Sequence, residues 1–313
     1  MAAIQPQTRR RSRLLERVDE SHAGGDACGE GRWWLTQPHM QWKETKTKKK
    51  GIMEKKTVVI IHFNTPELTE AAIRSLRKHG GEDYKVVVFD NSTDVDFPSI
   101  DGLPSRKMKA RPFVVPRGKA REVLGDVKVI NNRKGKVIDF QKLLAEYPDK
   151  NPRHSACNDW GSTKHIWTVQ KLWELVPEGF VLMESDILLK KPIDGFFDEK
   201  YSVVGYWQKA QPGNRFGIGR MLPMLCWMNV PMLTKEGARY FDPERSWMLW
   251  PGEDDKRNWY DTGACLLDDI LKKRPRLKGL HVDIRDYVVH LGSGSWQTKD
   301  VKAWLELHKD LWQ

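Results

Sequence analysis

The tripeptide Glu184-Ser185-Asp186 is the strongest candidate for chemistry in this sequence. Its two carboxylates come directly after the apolar run Phe180-Val181-Leu182-Met183, which is typical of a buried strand. Hard divalent cations such as Mg²⁺ and Mn²⁺ prefer oxygen ligands and keep positions open for substrate phosphates. The tripeptide therefore predicts a metal site at a strand end, although an acidic turn after a strand would have the same sequence.

Two other polar positions also follow apolar runs. Asp90 and Asn91 come after residues 86–89, where a carboxylate can accept hydrogen bonds from ribose hydroxyls or a base edge. A local turn stabilised by the same side chains is an equal alternative. His290 closes the run 287–289, and its imidazole could complete a metal shell or be structural.

Alternating strands and helices must position these side chains. The β-branched run at residues 57–61 predicts a strand, and a helix follows, with Thr65 as its cap and Pro66 in its first turn. Further strands are predicted at residues 86–89, 127–130 and 180–183. Such alternation favours a mostly parallel sheet flanked by helices, with ligands beyond the carboxyl ends of the strands. His62 and Asn64 are therefore candidates as well.

A second predicted helix adds three candidates for phosphate binding. Ser162 can cap this helix, so Ser162, Lys164 and His165 are predicted at its start, where exposed amides favour phosphate. Capping or packing would explain them equally well.

Acidic residues later in the chain are candidates for a general base. A carboxylate within hydrogen-bond reach of a substrate hydroxyl can take its proton during a reaction. Glu253, Asp254 and Asp261 are the candidates, and an acidic solvated loop is the alternative.

The order of these motifs resembles GT-A glycosyltransferases, especially the family 2-like group of bacterial surface polysaccharide assembly. The resemblance covers about residues 57–296: strand, Asn-x-Pro-Glu-Leu, helix, strand, Asp-Asn-Ser, then an acidic motif like DxD and a late histidine. It implies one GT-A (Rossmann-like) catalytic domain over residues 57–313, with a nucleotide-sugar half at 57–200 and an acceptor half at 201–313.

The resemblance also implies roles for individual residues. Asp90 would bind the uracil or ribose, and Asp186 with His290 would hold Mn²⁺ or Mg²⁺ against the donor diphosphate. Glu184 would face the ribose or a metal-bound water. Glu in place of the family's first Asp adds a methylene, which leaves direct coordination of the metal by Glu184 open. Asn91 and Ser185 would contribute to the same donor site.

The implied function is transfer of a sugar from a nucleotide diphosphate donor, UDP-linked by analogy, to a glycan or lipid-linked saccharide. A nucleotide-sugar pyrophosphorylase would have the same architecture but needs a Gly-rich loop after the first strand, and Phe63-Asn64-Thr65-Pro66 is not one. A non-catalytic carbohydrate-binding protein would explain 14 Trp but not the ordered acids at strand ends.

Charge and composition set the remaining expectations. Residues 1–56 contain 13 Lys and Arg against 7 Asp and Glu, so they supply more than half of the net charge of +11. They lack apolar periodicity and are predicted to be a disordered basic extension, with Met53 as a possible natural start. The net charge of +5 on residues 57–313 is small for a nucleic-acid binder. The stretch 106–121 is either a solvated insertion or a contact with an anionic membrane surface.

The location of the protein is predicted from its cysteines and its hydropathy. The four cysteines are widely spaced and form no CxxC pair, which favours a reducing cytoplasm. No secretory signal or membrane span is apparent. We therefore expect a cytoplasmic protein that works at the inner face of a membrane if its acceptor is lipid-linked.

Overall fold

The β-branched run at residues 57–61 forms an interior strand of a mixed sheet, as its composition predicts. The computed structural model describes residues 55–81, 83–97, 106–146, 156–209, 219–243, 245, 261–292 and 300–313. All of these lie in one compact unit, residues 48–313. The predicted extension lies outside the described residues, apart from Lys55 and Lys56. The Lys56 carbonyl accepts a hydrogen bond from the Lys85 N–H at 3.0 Å.

The strands are β1 Thr57–His62, β2 Lys85–Asp90, β3 Val95–Phe97, β4 Arg106–Met108, β5 Val127–Asn131, β6 Phe180–Glu184, β7 Ile187–Leu189, β8 Val203–Gln208, β9 Arg220–Met228, β10 Gly279–His281 and β11 Val288–His290. The helices are α1 Pro66–His79, α2 Lys119–Leu124, α3 Phe140–Glu146, α4 Ala156–Leu175, α5 Val230–Lys235, α6 Ala264–Asp268 and α7 Val301–Leu307.

The main sheet has seven strands in the order β10-β8-β9-β6-β1-β2-β5. β9 pairs antiparallel with both of its neighbours, β6 and β8, and every other pair is parallel. Helices cover both faces: α4 packs its apolar side chains on one face and α1 on the other. The α/β fold class predicted from the sequence, a mostly parallel sheet flanked by helices, is therefore confirmed.

The register of the sheet brings the polar strand ends into line. His62 is level with Asp90 across the β1–β2 pair, and Asp90 is level with Asn131 across β2–β5. Glu184 is level with Ile61, one residue earlier. Because these four strands are parallel, their polar ends meet at one edge of the sheet.

Two helix starts differ from the sequence prediction. Thr65 precedes α1 and Pro66 opens it, but the Thr65 hydroxyl donates to the Phe63 carbonyl instead of capping the helix. α4 begins at Ala156, so the prediction that Ser162 caps this helix is wrong. Gly161 is tolerated inside the helix, and a serine there has no free amides to cap.

Candidate metal and donor site

Glu184, Asp186 and His290 form one cluster at the carboxyl end of β6. Each residue offers one ligand atom, and these atoms lie within 4.8 Å of one another. The His290 Nε2 is 3.4 Å from Asp186 Oδ1 and 3.7 Å from Glu184 Oε2. Ligands around an octahedral Mg²⁺ are separated by about 3–4 Å, given metal–oxygen distances of about 2.1 Å. The spacing therefore fits a divalent cation.

A small second sheet delivers His290 to this cluster. The chain turns at Ser185 and Asp186 between β6 and β7, and β11 pairs antiparallel with β7, so that His290 lies opposite Ile187. The Asp186 carbonyl also accepts the Leu291 N–H at 3.0 Å. Residues more than one hundred positions apart are thus fixed side by side by backbone hydrogen bonds.

The electrostatics of the cluster favour a cation. Burial is the main reason why the pKa of Glu184 is raised to about 7, and the neighbouring Asp186 carboxylate raises it further. His290 and Arg220 act in the opposite direction. A bound divalent cation would relieve the repulsion between the two carboxylates, so the donor set fits the Mn²⁺ or Mg²⁺ predicted from the sequence.

His62 lies at the end of β1 but does not reach the surface of the site. Its side chain is fully buried, and its Nε2 is 2.8 Å from the Arg111 carbonyl. A carbonyl can only accept, so Nε2 carries a proton, while Nδ1 lies 2.7 Å from the Thr69 hydroxyl. Burial lowers the pKa of His62. In this structure the ring ties the 109–117 segment to the sheet.

Asn64 and Asp90 belong to the same buried network. Asn64 has a left-handed φ of 55°, and its side chain donates to the Thr93 carbonyl and accepts from the Arg111 N–H. Asp90 accepts the Ser92 N–H at 2.9 Å, which is the Asx turn that the sequence left as the alternative. The two side chains therefore shape the loops around the candidate donor site.

Asn91 is buried as well. Its amide donates to the Thr168 hydroxyl and its oxygen accepts from Asn132, so it links β2 to α4 and to the turn after β5. The Asn132 oxygen in turn accepts two backbone N–H groups, those of Val137 and Ile138. This network fixes the turn 132–137.

A pocket of 460 Å³ opens at the carboxyl ends of β2 and β5. It is lined by Ser92, Thr93, Asp94, Ala110, Asn131, Arg133, Lys134 and Lys136. Ser92 belongs to the Asp-Asn-Ser motif that the sequence indicated, and the other seven lining residues were not predicted as site residues. The signal available for them was the Asn131-Asn132-Arg133-Lys134 run directly after the third predicted strand.

Lys164 and His165 lie on α4, past its first two turns. Lys164 is buried, its ammonium lies over the Phe140 and Phe63 rings at 5.1 Å and 5.9 Å, and burial lowers its pKa to about 8. Phe63 directly follows β1, so Lys164 is near the polar strand ends. Burial also lowers the pKa of His165 to about 4, and neither of its ring nitrogens has a hydrogen-bond partner among the described residues. The side chain of Ser162 lies outside what the structure describes.

Arg220 is a further charged residue of the site that sequence reasoning missed. It opens β9, donates to Gln208 and forms an ion pair with Asp261. Both residues are close enough to Glu184 to influence its pKa. No local pattern marks Arg220, because its place depends on the pairing of β9 with β8.

The structure describes one of the three candidates for the general base, Asp261. Asp261 is near the cluster, but one of its oxygens is held by Arg220 and the other accepts the Thr262 N–H at 2.7 Å. Glu253 and Asp254 lie outside the described residues. The structure therefore brings one base candidate, Asp261, close to the metal cluster, and this carboxylate is already ion-paired with Arg220.

No model of a known protein family matches this chain, and no curated protein matches it in sequence. Solved structures with a similar course of the backbone include the galactosyltransferase LgtC in complex with donor and acceptor sugar analogs (11% identity, TM-score 0.39, 73% of this chain and 74% of that chain). Mouse xyloside xylosyltransferase 1 shows 13% identity and a TM-score of 0.42, over 74% of this chain and 86% of that chain. The glycosyltransferase GlyE of Streptococcus pneumoniae TIGR4 shows 12% identity and a TM-score of 0.37, over 74% and 46%. These similarities concern the backbone alone.

Proposed function

We propose that this protein is a metal-dependent glycosyltransferase with a GT-A-like domain. It would move a sugar from a nucleoside diphosphate sugar, UDP-linked by analogy, to a glycan or lipid-linked saccharide. The observation that carries the proposal is the Glu184, Asp186 and His290 cluster at the same sheet edge as a polar, cation-lined pocket.

The distance between the two features suits a nucleoside diphosphate. The pocket lies at the ends of β2 and β5, and the cluster lies at the end of β6, two and three strands away in the sheet. Neighbouring strands are about 4.8 Å apart, so the features are separated by roughly 10–15 Å. A nucleoside in the pocket could therefore extend its diphosphate along the edge to the cluster.

Charged residues of the chain would stabilise the donor along this path. Glu184, Asp186 and His290 would hold the divalent cation, which supplies Lewis-acid neutralisation of the departing diphosphate. Lys164 lies beside the strand ends and would add a positive charge for the phosphates. Arg220, held by Asp261, would do the same on the far side of the cluster.

The base remains a choice between two regions of the chain. Asp261 is occupied by Arg220 and by a backbone N–H, which suits a residue that positions Arg220. For an inverting reaction we therefore propose Asp254 or Glu253 as the base that takes the acceptor proton, with Asp261 as a positioning residue.

The two other functions fit the site less well. A pyrophosphorylase needs a Gly-rich phosphate loop after β1, but here β1 is followed by Phe63 and by the buried Asn64. A function limited to carbohydrate binding does not explain why two carboxylates and an imidazole converge on one point.

Calorimetric titration of the protein with UDP, with and without Mn²⁺, tests the proposal. We expect UDP binding that requires Mn²⁺, followed by metal-dependent hydrolysis of one member of a panel of nucleotide sugars. Glycan binding without any effect of UDP or metal would instead support a binding protein and would refute the transferase.

The affinity for Mn²⁺ is expected to increase with pH. Glu184 has a pKa of about 7 in a site that also contains Asp186, His290, Arg220 and Asp261. A ligand must be deprotonated, so the metal has to displace a proton below this pKa but not above it. We expect affinity to rise by about tenfold from pH 6 to pH 8 in a Mn²⁺ titration. Glu184→Gln should bind less tightly and show a smaller pH response; an unchanged response would mean that another group titrates.

A further inference from the structure

The positive charge of the domain is concentrated in one stretch of the chain. Residues 106–136 contain 11 Lys and Arg against 2 Asp and Glu. The rest of residues 57–313 contains 29 Lys and Arg against 33 Asp and Glu. This stretch alone therefore makes the domain basic.

The stretch surrounds the edge of the sheet. It runs from β4 through α2 into β5, which is the last strand of the seven, and then into the turn after it. Lys107, Lys109 and Arg111 are ion-paired, with Asp96, Asp94 and Glu67 respectively. Seven other cations are exposed, and none has a carboxylate within 4.0 Å among the described residues: Arg117, Lys119, Arg121, Lys128, Arg133, Lys134 and Lys136. Arg133, Lys134 and Lys136 line the candidate donor pocket, and we call the other four residues, Arg117, Lys119, Arg121 and Lys128, the basic edge.

Exposed apolar side chains accompany the charges. Val114 is 72% exposed and Val123 is 48% exposed, although both stand beside buried anchors, Phe113 and Leu124. The anchors fix the backbone, so the two valines are held outward between the cations. An exposed aliphatic side chain gains free energy when it enters the boundary between lipid headgroups and acyl chains.

We propose that the basic edge docks this protein on an anionic lipid bilayer. Unpaired cations with interspersed aliphatic side chains match such a surface, where attraction needs charge but no fixed geometry. Single-stranded nucleic acid would instead favour exposed aromatic side chains for stacking, and Phe113, the one aromatic residue in 106–136, is buried. The inference rests on the proposed function in one respect, because a lipid-linked acceptor would be anchored in a bilayer.

Co-sedimentation of the full chain with vesicles tests the proposal. We expect binding to vesicles of phosphatidylcholine containing phosphatidylglycerol, weak binding to phosphatidylcholine alone, and loss of binding at high salt. The triple variant Arg117→Gln, Lys119→Gln, Arg121→Gln leaves the pocket residues unchanged. Its partition coefficient should fall by about 100-fold, since each cation near an anionic surface contributes about a fivefold gain. Val114→Asp should also weaken binding.

A matched control removes three exposed cations near the opposite edge of the sheet, with Lys200→Gln, Lys235→Gln and Lys278→Gln, and should bind vesicles like the unmodified protein. The inference is overturned if the first triple variant binds normally, as it would if residues 1–54 alone were responsible. It is also overturned if the chain binds single-stranded RNA but not anionic vesicles. UDP titration of the same samples keeps the two proposals separate, because loss of UDP binding with intact vesicle binding would refute only the transferase.

Discussion

Replacement of Asp186 by alanine is expected to abolish Mn²⁺-dependent binding of UDP. Asp186 is the ligand that lies between the other two in the chain, and its Oδ1 is 3.4 Å from His290 Nε2. Without it, the cation would lose one of its two carboxylate ligands, and the remaining one, Glu184, has a pKa of about 7 and must still release a proton to bind the metal near neutral pH. Isothermal titration with UDP, with and without Mn²⁺, measures the effect.

The variant should fold normally, which makes the result interpretable. The backbone bond from Leu291 to the Asp186 carbonyl does not depend on the side chain. Removal of one carboxylate also relieves its repulsion with Glu184. Asp310→Ala, at an exposed position remote in sequence, is the control and should bind UDP normally. A normal metal response in Asp186→Ala would mean that the site lies elsewhere.

Asp254→Asn is expected to lower the rate of sugar transfer by about 10²–10⁴-fold, the usual contribution of a general base. Binding of UDP and Mn²⁺ should not change, because the role of a general base is to take the acceptor proton and not to bind the donor. Asp261→Asn should have a smaller effect on the rate, since an amide oxygen can still accept from Arg220 while the charge is lost. Single-turnover transfer rates with saturating donor measure both variants.

The comparison of the two variants decides between the base candidates. If Asp261→Asn abolishes transfer and Asp254→Asn is fully active, Asp261 must leave Arg220 during the reaction and act as the base itself. The same comparison with Glu253→Gln tests the remaining candidate. Full activity in all three variants would contradict an inverting mechanism with a base in this region.

Much of the candidate site could be predicted from local sequence. Runs of β-branched and aliphatic residues form β1, β2, β5 and β6 within one or two residues of their predicted bounds. Because β1, β2 and β6 are buried on both faces, polar residues can follow only where these strands leave the core. For this reason the sequence alone indicated that the chain leaves the core at Glu184 and Asp186.

Local sequence was a weaker guide to side-chain exposure. His62 and Asn91 follow the same rule as Glu184, whose side chain is 27% exposed, yet both are buried and hydrogen-bonded inside the protein. The difference arises from what covers each strand end: the 109–117 segment and the 132–137 turn lie over β1 and β2. Neither cover can be inferred from the residues of the strand itself.

The sequence by itself determined which residues stand at the ends of the strands, because β-propensity and burial act over a few neighbouring positions. Only the tertiary structure decided which of them meet. His290 joins Asp186 because β11 pairs with β7, and Arg220 joins Asp261 because β9 is inserted antiparallel between β6 and β8. Strand pairing between distant segments depends on the packing of the whole sheet, and therefore no local pattern encodes it.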